Sequence, residues 1–185
     1  MSDKPAILVT RKLPDAVEAR LSRDFDVRLN PDDLLFSTDE LIERAKGVQG
    51  ILPCHTEHFT ADVIERLPQE VKIIANFSVG VDHVDLAAAK AKGIVVTNTP
   101  DVLSDATAEI AMLLMLGAAR RAGEGEALVR TQTWKDWSPS FMVGVQVTGK
   151  RFGIVGMGRV GQVVADRARC FGMATKNKNS AGCPT

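Results

Sequence analysis

The sequence has no excess of charge of either sign. Its 185 residues contain 23 Lys and Arg against 23 Asp and Glu, so the formal net charge is zero. A balanced chain has no electrostatic reason to bind nucleic acid or an anionic membrane, and we expect neither as a partner. Long apolar runs are also missing, because the longest, Ile110 to Ala119, is about half of what a membrane span needs. The N-terminal stretch MSDKPAILVT has too short an apolar run for a signal peptide.

Cysteine is scarce as well. Cys54, Cys170 and Cys183 are odd in number and lack metal-ligand spacing, which is typical of a reducing compartment and predicts a cytoplasmic protein. Histidine occurs only at positions 55, 58 and 83. A His-x-x-His pair with no cysteine or carboxylate at ligand spacing favours solvated loop histidines, so no metal site is predicted.

What the chain does have is a regular alternation of β-rich runs and helical segments. The predicted strands are Ala6–Thr10, Val27–Leu29, Gly50–Pro53, Lys72–Phe77 and Ile94–Asn98. Helices are predicted near Pro14–Arg23, Thr38–Lys46, Thr60–Leu67 and Val84–Lys92, with Thr38 and Thr60 as N-caps. This alternation predicts a doubly wound α/β domain with a parallel, flavodoxin-like sheet over residues 1–100, followed by a second domain over residues 101–185.

Two loops follow strands of this sheet, at the edge where ligands bind in such folds. The first is FSVGVDHVD, in which Gly80 would let a small anion approach the backbone N–H groups of Val79, Gly80 and Val81. The alternative is that Gly80 only makes a tight turn, while Asp82 or Asp85 caps the next helix. Both interpretations stay open on the residues alone.

The second loop, TNTPDVLSDATAE, leads into an apolar helix. Ser104 or Asp105 is a plausible cap, and Ile110–Ala119 is apolar nearly all round, which predicts a helix buried between two domains or two subunits. Further on, Trp134 and Trp137 lie in a polar stretch that is not basic, so packing or subunit contact is favoured over base stacking.

A glycine motif near the end of the chain carries the strongest chemical signal. Gly156-x-Gly158-x-x-Gly161 follows the apolar run Phe152–Val155 and opens a segment with small apolar residues at helical spacing. This layout is typical of dinucleotide-binding folds, in which the pyrophosphate lies on the helix N-terminus, here with Arg159 as an added cation. A glycine-rich turn in an unrelated fold is the weaker alternative.

Taken together, FSVGVDHVDLAAAKAKGIVVTNTPDVLSDATAEIAMLLML and TGKRFGIVGMGRVGQVVADRARCFGM closely resemble the D-isomer-specific 2-hydroxyacid dehydrogenases. Within that family they are most similar to glyoxylate/hydroxypyruvate reductases. The resemblance implies a flavodoxin-like substrate domain, a Rossmann domain that binds NAD or NADP, a small 2-oxo or 2-hydroxy acid substrate, and a homodimer built on residues 106–143.

The resemblance also assigns roles to individual positions. The backbone at Val79 and Gly80 would hold the substrate carboxylate, and Thr107 would lie beside the coenzyme. The residues implied for the pyrophosphate are Gly156, Gly158, Arg159, Val160 and Gly161. The family's catalytic Arg, Glu and His belong to a region after the glycine motif that this chain does not contain, so no catalytic residue is assigned.

The last residues depart from the family pattern. MATKNKNSAGCPT lacks the β-branched and aromatic residues of a buried strand, and no Asp or Glu follows Asp166 to bind the ribose of NAD. Lys176 and Lys178 are weak grounds for NADP. The pattern therefore predicts an incomplete Rossmann domain with no strand after about Ala174, as in a truncated or frame-shifted chain.

Two functions follow. The first is an NAD(P)-dependent oxidoreductase of 2-oxo and 2-hydroxy acids that is catalytically incomplete. The alternative is a non-enzymatic module that binds a dinucleotide or pairs with other subunits.

Overall fold

A computed structural model describes residues 4–178 of the chain. It divides into two compact units, one that ends at Pro100 and one that begins at Asp101. Both are α/β. No helix in the described range is long and apolar enough to cross a membrane.

The first unit is built around a five-stranded parallel sheet. Its strands are β1 (Ala6–Val9), β2 (Asp26–Arg28), β3 (Gly50–Leu52), β4 (Ile73–Ala75) and β5 (Val95–Thr97). Its helices are α1 (Asp15–Asp24), α2 (Thr38–Arg44), α3 (Ala61–Arg66) and α4 (Leu86–Lys92). The strand order β2-β1-β3-β4-β5 confirms the predicted flavodoxin-like topology. Every strand pairs in parallel, so the loops after β3, β4 and β5 lie at one edge of the sheet.

Apolar strand and helix residues form the core of this unit. Phe59, Ile51 and Ile74 are almost fully buried, and Ile64 of α3 packs into the same cluster. The inner strands β1, β3 and β4 are apolar and half-buried to buried, whereas the edge strands β2 and β5 expose their first and last residues.

The predicted helix starts are partly wrong. Thr60 does cap α3, and Asp85 caps α4 by accepting a hydrogen bond from the N–H of Ala88 at 2.9 Å. The N-cap of α2, however, is Ser37 and not Thr38. Ser37 is extended and its hydroxyl accepts from the N–H of Glu40, whose carboxylate accepts the N–H of Ser37 at 2.9 Å. This reciprocal capping box makes Thr38 the first helical residue.

As far as residue 178, the second unit contains three helices and a two-stranded parallel sheet. Its elements are α5 (Ser104–Ala119), α6 (Ala122–Arg130), β6 (Arg151–Val155), α7 (Arg159–Cys170) and β7 (Ala174–Lys178). α5 packs on α7 through Ala108 and Met112, which face Val164, Ala165 and Ala168. Ile154 of β6 joins this cluster, and α7 packs on both strands of the small sheet.

The prediction that no strand follows Ala174 is wrong for residues 174–178. β7 pairs in parallel with β6 along its whole length, from Arg151 with Ala174 to Val155 with Lys178. Main-chain hydrogen bonds form this ladder whatever the side chains are, and buried Met173 anchors the chain just before it. Residues 179–185, with Cys183, lie outside the described residues.

The burial of α5 between two domains or two subunits stays a prediction, because within the single chain only part of the helix is covered. Ala108 and Met112 are buried, but Ile110, Leu113 and Leu114 are 56%, 63% and 66% exposed. No side chain caps the helix, so neither Ser104 nor Asp105 has the predicted capping role. Asp105 forms an ion pair with Arg167 of α7 at 2.8 Å instead.

The two tryptophans do not pack inside the chain either. Trp134 and Trp137 are 55% and 78% exposed in the irregular segment between α6 and β6. The same segment returns to the end of α5, where the N–H of Val145 donates to the carbonyl of Ala119 at 2.7 Å. It therefore carries its two tryptophans on the surface.

Candidate functional site

The glycine motif forms the turn from β6 into α7. Gly156 follows directly after Val155, the last residue of β6. Its backbone φ is 92°, a conformation that residues other than glycine rarely adopt. Gly158 is the N-cap of α7 in an extended conformation. The chain thus reverses in three residues and presents the start of the helix at the carboxyl end of β6.

The other two glycines of the motif meet different surroundings. A Cβ at Gly161 would overlap the carbonyl oxygen of Gly156 and lie 3.5 Å from Ile154, so this glycine allows the helix to pack closely on the turn. A Cβ at Gly158 would meet nothing within 4 Å. The space over Gly158 is open for a ligand, whereas the space at Gly161 is occupied by the protein.

The N-terminus of α7 has the properties of an anion site. The first N–H groups of an α-helix have no partner within the helix, and no side chain caps α7. The helix is 12 residues long and has no acidic residue in its first turn. The partial positive charge at its N-terminus is therefore not neutralised by a carboxylate of the helix itself. These N–H groups and the open space above Gly158 fit a phosphate group.

Arg159 is the one cation of the motif. Its guanidinium lies 2.6 Å from the carboxylate of Asp101, and both side chains are more than half exposed. Thr107 lies on the exposed side of α5, next to buried Ala108. Arg167 ties α5 to α7 through Asp105 and also lies 3.8 Å from Glu109. These ion pairs connect α5, which carries Thr107, to α7, which begins at the glycine motif. The sequence pattern did not predict them.

The loop after β4 presents its backbone in an unusual way. The carbonyl of Ser78 accepts hydrogen bonds from the N–H and hydroxyl of Thr99, at 2.9 and 3.1 Å. The carbonyl of Val79 accepts from the side-chain amide of Asn98 at 2.6 Å, and that of Gly80 accepts from the Ser78 hydroxyl at 2.7 Å. Between residues 4 and 178, the N–H groups of Val79 and Gly80 have no acceptor. Three carbonyls are held in place while two N–H donors remain available.

His83 stabilises this loop and is not free for other chemistry. Its Nε2 lies 2.9 Å from Oδ1 of Asn76, whose amide NH₂ donates to the carbonyl of Thr97 at 2.9 Å. Oδ1 is therefore the acceptor, so Nε2 of His83 carries the proton. Burial lowers the pKa of His83, and the neighbouring His55 and His58 lower it further.

His55 and His58 are exposed, as expected for loop histidines. Within residues 4–178, no group of three or more His, Cys, Asp or Glu side chains is arranged to hold a metal ion.

A polar cluster at the ends of β1 and β3 was not predicted. The guanidinium of Arg11 binds Asp33 through two hydrogen bonds, at 2.8 and 2.9 Å, and reaches the hydroxyl of Thr56 at 3.1 Å. These contacts lower the pKa of Asp33 from 3.8 to about 2, with the Arg11 hydrogen bonds as the largest cause and the N–H of Lys12 as the next. Nearby, burial raises the pKa of the Cys54 thiol.

The predicted site residues thus fall into two groups. Val79 and Gly80 lie in the first unit, whereas Thr107, Gly156, Gly158, Arg159, Val160 and Gly161 lie in the second. Each group offers backbone N–H donors suited to an oxygen anion.

Comparisons with known proteins agree on one family. The family model for the catalytic domain of the D-isomer specific 2-hydroxyacid dehydrogenases matches residues 7–181 of this sequence. The glycerate dehydrogenase of Hyphomicrobium methylovorum is 47% identical over 170 residues, which are 92% of this chain and 53% of that protein. The glyoxylate reductase of Thermococcus onnurineus is 40% identical over 174 residues, 92% of this chain and 52% of that protein.

A solved structure from Polaromonas, described provisionally as an NAD-binding D-isomer specific 2-hydroxyacid dehydrogenase, superposes with a TM-score of 0.89. It is 44% identical and is matched over 98% of this chain and 56% of that one. The chain therefore spans about half the length of the curated relatives it matches.

Proposed function

Since the chain belongs to the D-isomer specific 2-hydroxyacid dehydrogenase family, we propose that it carries the coenzyme-pyrophosphate and substrate-carboxylate sites of an NAD(P)-dependent oxidoreductase of small 2-oxo and 2-hydroxy acids. The relatives named glycerate dehydrogenase and glyoxylate reductase support glyoxylate and hydroxypyruvate as the substrate type. The observation that carries the proposal is the uncapped start of α7, with open space at Gly158 and close packing at Gly161.

The residues of the second unit fit a dinucleotide. The N–H groups of Arg159, Val160 and Gly161 would hold the pyrophosphate, and Gly158 leaves room for its oxygen atoms. The Arg159 guanidinium adds positive charge and can exchange its Asp101 partner for a phosphate oxygen. Thr107 would line the same ligand from α5. When bound, the nicotinamide coenzyme supplies or accepts the hydride of the reaction.

The residues of the first unit fit a carboxylate. The free N–H groups of Val79 and Gly80 would each donate to a carboxylate oxygen, which fixes the orientation of a 2-oxo acid. Gly80 adds no side chain of its own, although Oδ2 of Asp82 lies 3.1 Å from the place that a Cβ would take there. A small acid would therefore approach the backbone from the side away from the Asp82 carboxylate. This cradle binds and orients its ligand but does not transfer a proton.

No catalytic acid is proposed among the described residues. His83 is the histidine closest in sequence to the cradle, but its Nε2–H is bound to Asn76. Its lowered pKa also makes it mostly neutral near pH 7, so it is a poor proton donor. A general acid contributes about 10²–10⁴-fold in rate. We therefore propose that the 185-residue chain binds NADH or NADPH weakly and does not turn over.

The exposed apolar face of α5 favours a second role, in subunit pairing. Ile110, Leu113 and Leu114 are exposed together on this helix, and Trp134 and Trp137 are exposed in the segment after α6. We propose that residues 106–143 form a homodimer contact, because contiguous apolar patches of this kind are typical of protein interfaces. A non-enzymatic pairing module is the alternative function, and this patch is its support.

A cytoplasmic location remains part of the proposal. Cys54 and Cys170 are both free thiols, which suits a reducing compartment.

Two assays on the purified chain test this function. Binding is followed by the fluorescence of NADH, and turnover by loss of NADH absorbance with glyoxylate or hydroxypyruvate. We expect weak NADH binding that is lost in Gly158→Trp, and no steady-state turnover. Turnover that survives His83→Ala but is lost in Gly158→Trp would show that an unidentified proton donor completes the site. Binding that is unchanged in Gly158→Trp would refute the pyrophosphate site.

A further inference from the structure

The residue after β5 controls the direction of the backbone in the neighbouring loop. Asn98 follows β5, and β5 pairs with β4, which leads into the Ser78–Val81 loop. Its side-chain amide donates to the carbonyl of Val79 at 2.6 Å, across 19 residues of sequence. A short bond from a side chain to a loop carbonyl holds one peptide group of the loop in one orientation.

That peptide group also contains the N–H of Gly80. In a trans peptide the C=O and N–H point in opposite directions. Because Asn98 draws the Val79 carbonyl toward itself, the N–H of Gly80 points to the opposite side. There it has no acceptor in the described part of the chain.

Thr99 acts on the preceding peptide group in the same way. Its N–H and hydroxyl both donate to the carbonyl of Ser78, so the N–H of Val79 also points away from the 98–99 segment. Two successive donors are thus turned to the same side. The carbonyl of the Ser78–Val79 peptide accepts two hydrogen bonds from Thr99. The carbonyl of the Val79–Gly80 peptide accepts one, from the side-chain amide of Asn98.

We propose that Asn98 is a positioning residue, which orients the Gly80 N–H toward the carboxylate of the substrate. This inference rests on the proposed function of the Val79–Gly80 cradle. Without the Asn98 amide, the Val79–Gly80 peptide is free to rotate, and its carbonyl oxygen then competes with the N–H for the ligand position. A carbonyl oxygen in that place repels a carboxylate.

The test compares two side-chain substitutions in the intact chain. Asn98→Leu keeps the shape of the side chain but removes the donor, without adding a charge next to the ligand. Thr99→Val removes one of two donors to the Ser78 carbonyl and serves as the matched control. Glycolate is the ligand probe, and uncharged glycolamide shows whether the response needs a carboxylate. NMR signals of the Val79 carbonyl and of the Val79 and Gly80 amides report on the loop in the free and bound protein.

We expect the wild-type amides to shift with glycolate and not with glycolamide. Asn98→Leu should move the Val79 carbonyl and Gly80 amide signals in the free protein and weaken glycolate binding by about three- to tenfold, the effect of one lost hydrogen bond. Thr99→Val should weaken it by less than about twofold, because the backbone donor of Thr99 remains. The thermal midpoint and NADH affinity should stay at wild-type values in both variants, which separates positioning from a loss of folding.

The outcomes distinguish this inference from the proposed function. If Asn98→Leu leaves the Gly80 amide signal of the free protein, or the glycolate affinity of a responsive wild type, unchanged, Asn98 does not position the loop. If the wild-type amides ignore glycolate while Asn98→Leu still moves the Gly80 signal, the carboxylate cradle is refuted and Asn98 orients a peptide with another role.

Discussion

Individual glycines of the motif make different demands on the fold. At Gly161 a methyl group would overlap the Gly156 carbonyl oxygen, so Gly161→Ala must push α7 away from the turn. We expect a loss of about 1–3 kcal/mol in the free energy of unfolding, as for other overpacked sites. Thermal and urea unfolding followed by circular dichroism measure it.

Gly153 in β6 gives the matched control for that substitution. A Cβ there meets nothing within 4 Å, so Gly153→Ala should leave stability near the wild-type value. Equal stability of the Gly161 and Gly153 variants would contradict the close contact between helix and turn.

Asp33 gives the first unit a defined acid sensitivity. Its pKa is about 2 in the folded chain, against an ordinary value of 3.8, because Arg11 and the N–H of Lys12 bind its charged form. A lowered folded-state pKa stabilises the fold above about pH 4 and loses that effect as the pH falls toward 2. Asp33→Asn should therefore be less stable at neutral pH and show a shallower loss of stability between pH 4 and 2.

Asparagine is a suitable replacement because Asp33 has a φ of 50°, which asparagine tolerates. The measurement is urea unfolding at several pH values. An identical pH dependence in both proteins would show that the Arg11–Asp33 pair does not contribute to stability.

At the scale of single residues, the sequence predicted those whose roles depend on their spacing from near neighbours in the chain. The three glycines and Arg159 are close in sequence, and their turn forms as expected. Asn98 and Val79 are 19 residues apart, and Arg11 and Asp33 are 22 residues apart. Such pairs meet only because parallel strands place their loops at one edge, so no local pattern indicates which partners will pair.

Helix α2 shows how an element boundary depends on one hydrogen bond. Ser37→Ala removes the hydroxyl that accepts the Glu40 N–H, and we expect a loss of about 1 kcal/mol in the free energy of unfolding. Thr38→Ala should cost far less, because Thr38 lies inside the helix and alanine is a better helix former. Urea unfolding of the two variants checks this pair, and a larger loss in Thr38→Ala would return the cap to the position first predicted.

Two other elements depend on packing partners that their own sequences do not reveal. β7 forms from a polar sequence because β6 offers a free edge and Met173 anchors the approach, neither of which appears in the composition of the segment. α5 was predicted to be buried between two domains or two subunits because Ile110–Ala119 is apolar nearly all round. Among the described residues, the side of α5 with Ala108 and Met112 packs on α7, whereas Ile110, Leu113 and Leu114 are exposed.

For the whole molecule, that exposed face predicts self-association. We expect the wild-type chain to elute as a dimer in size-exclusion chromatography with light scattering. Leu113→Glu combined with Leu114→Glu should yield a monomer, because two charges would have to be buried in an apolar contact. Leu34→Glu, at a comparably exposed leucine of the first unit, is the control and should leave the dimer intact. A monomeric wild type would refute the pairing role.

We propose that each of the two units carries one site for an oxygen anion, and centrally that the site in the second unit binds the coenzyme pyrophosphate. The most direct test is to titrate the ¹⁵N-labelled chain with NADH and to follow every backbone amide. We predict that the signals of Arg159, Val160 and Gly161 shift first and most, and that Gly158→Val abolishes these shifts while keeping the folded spectrum. Shifts that leave those three amides unmoved, or that persist unchanged in Gly158→Val, would contradict the account.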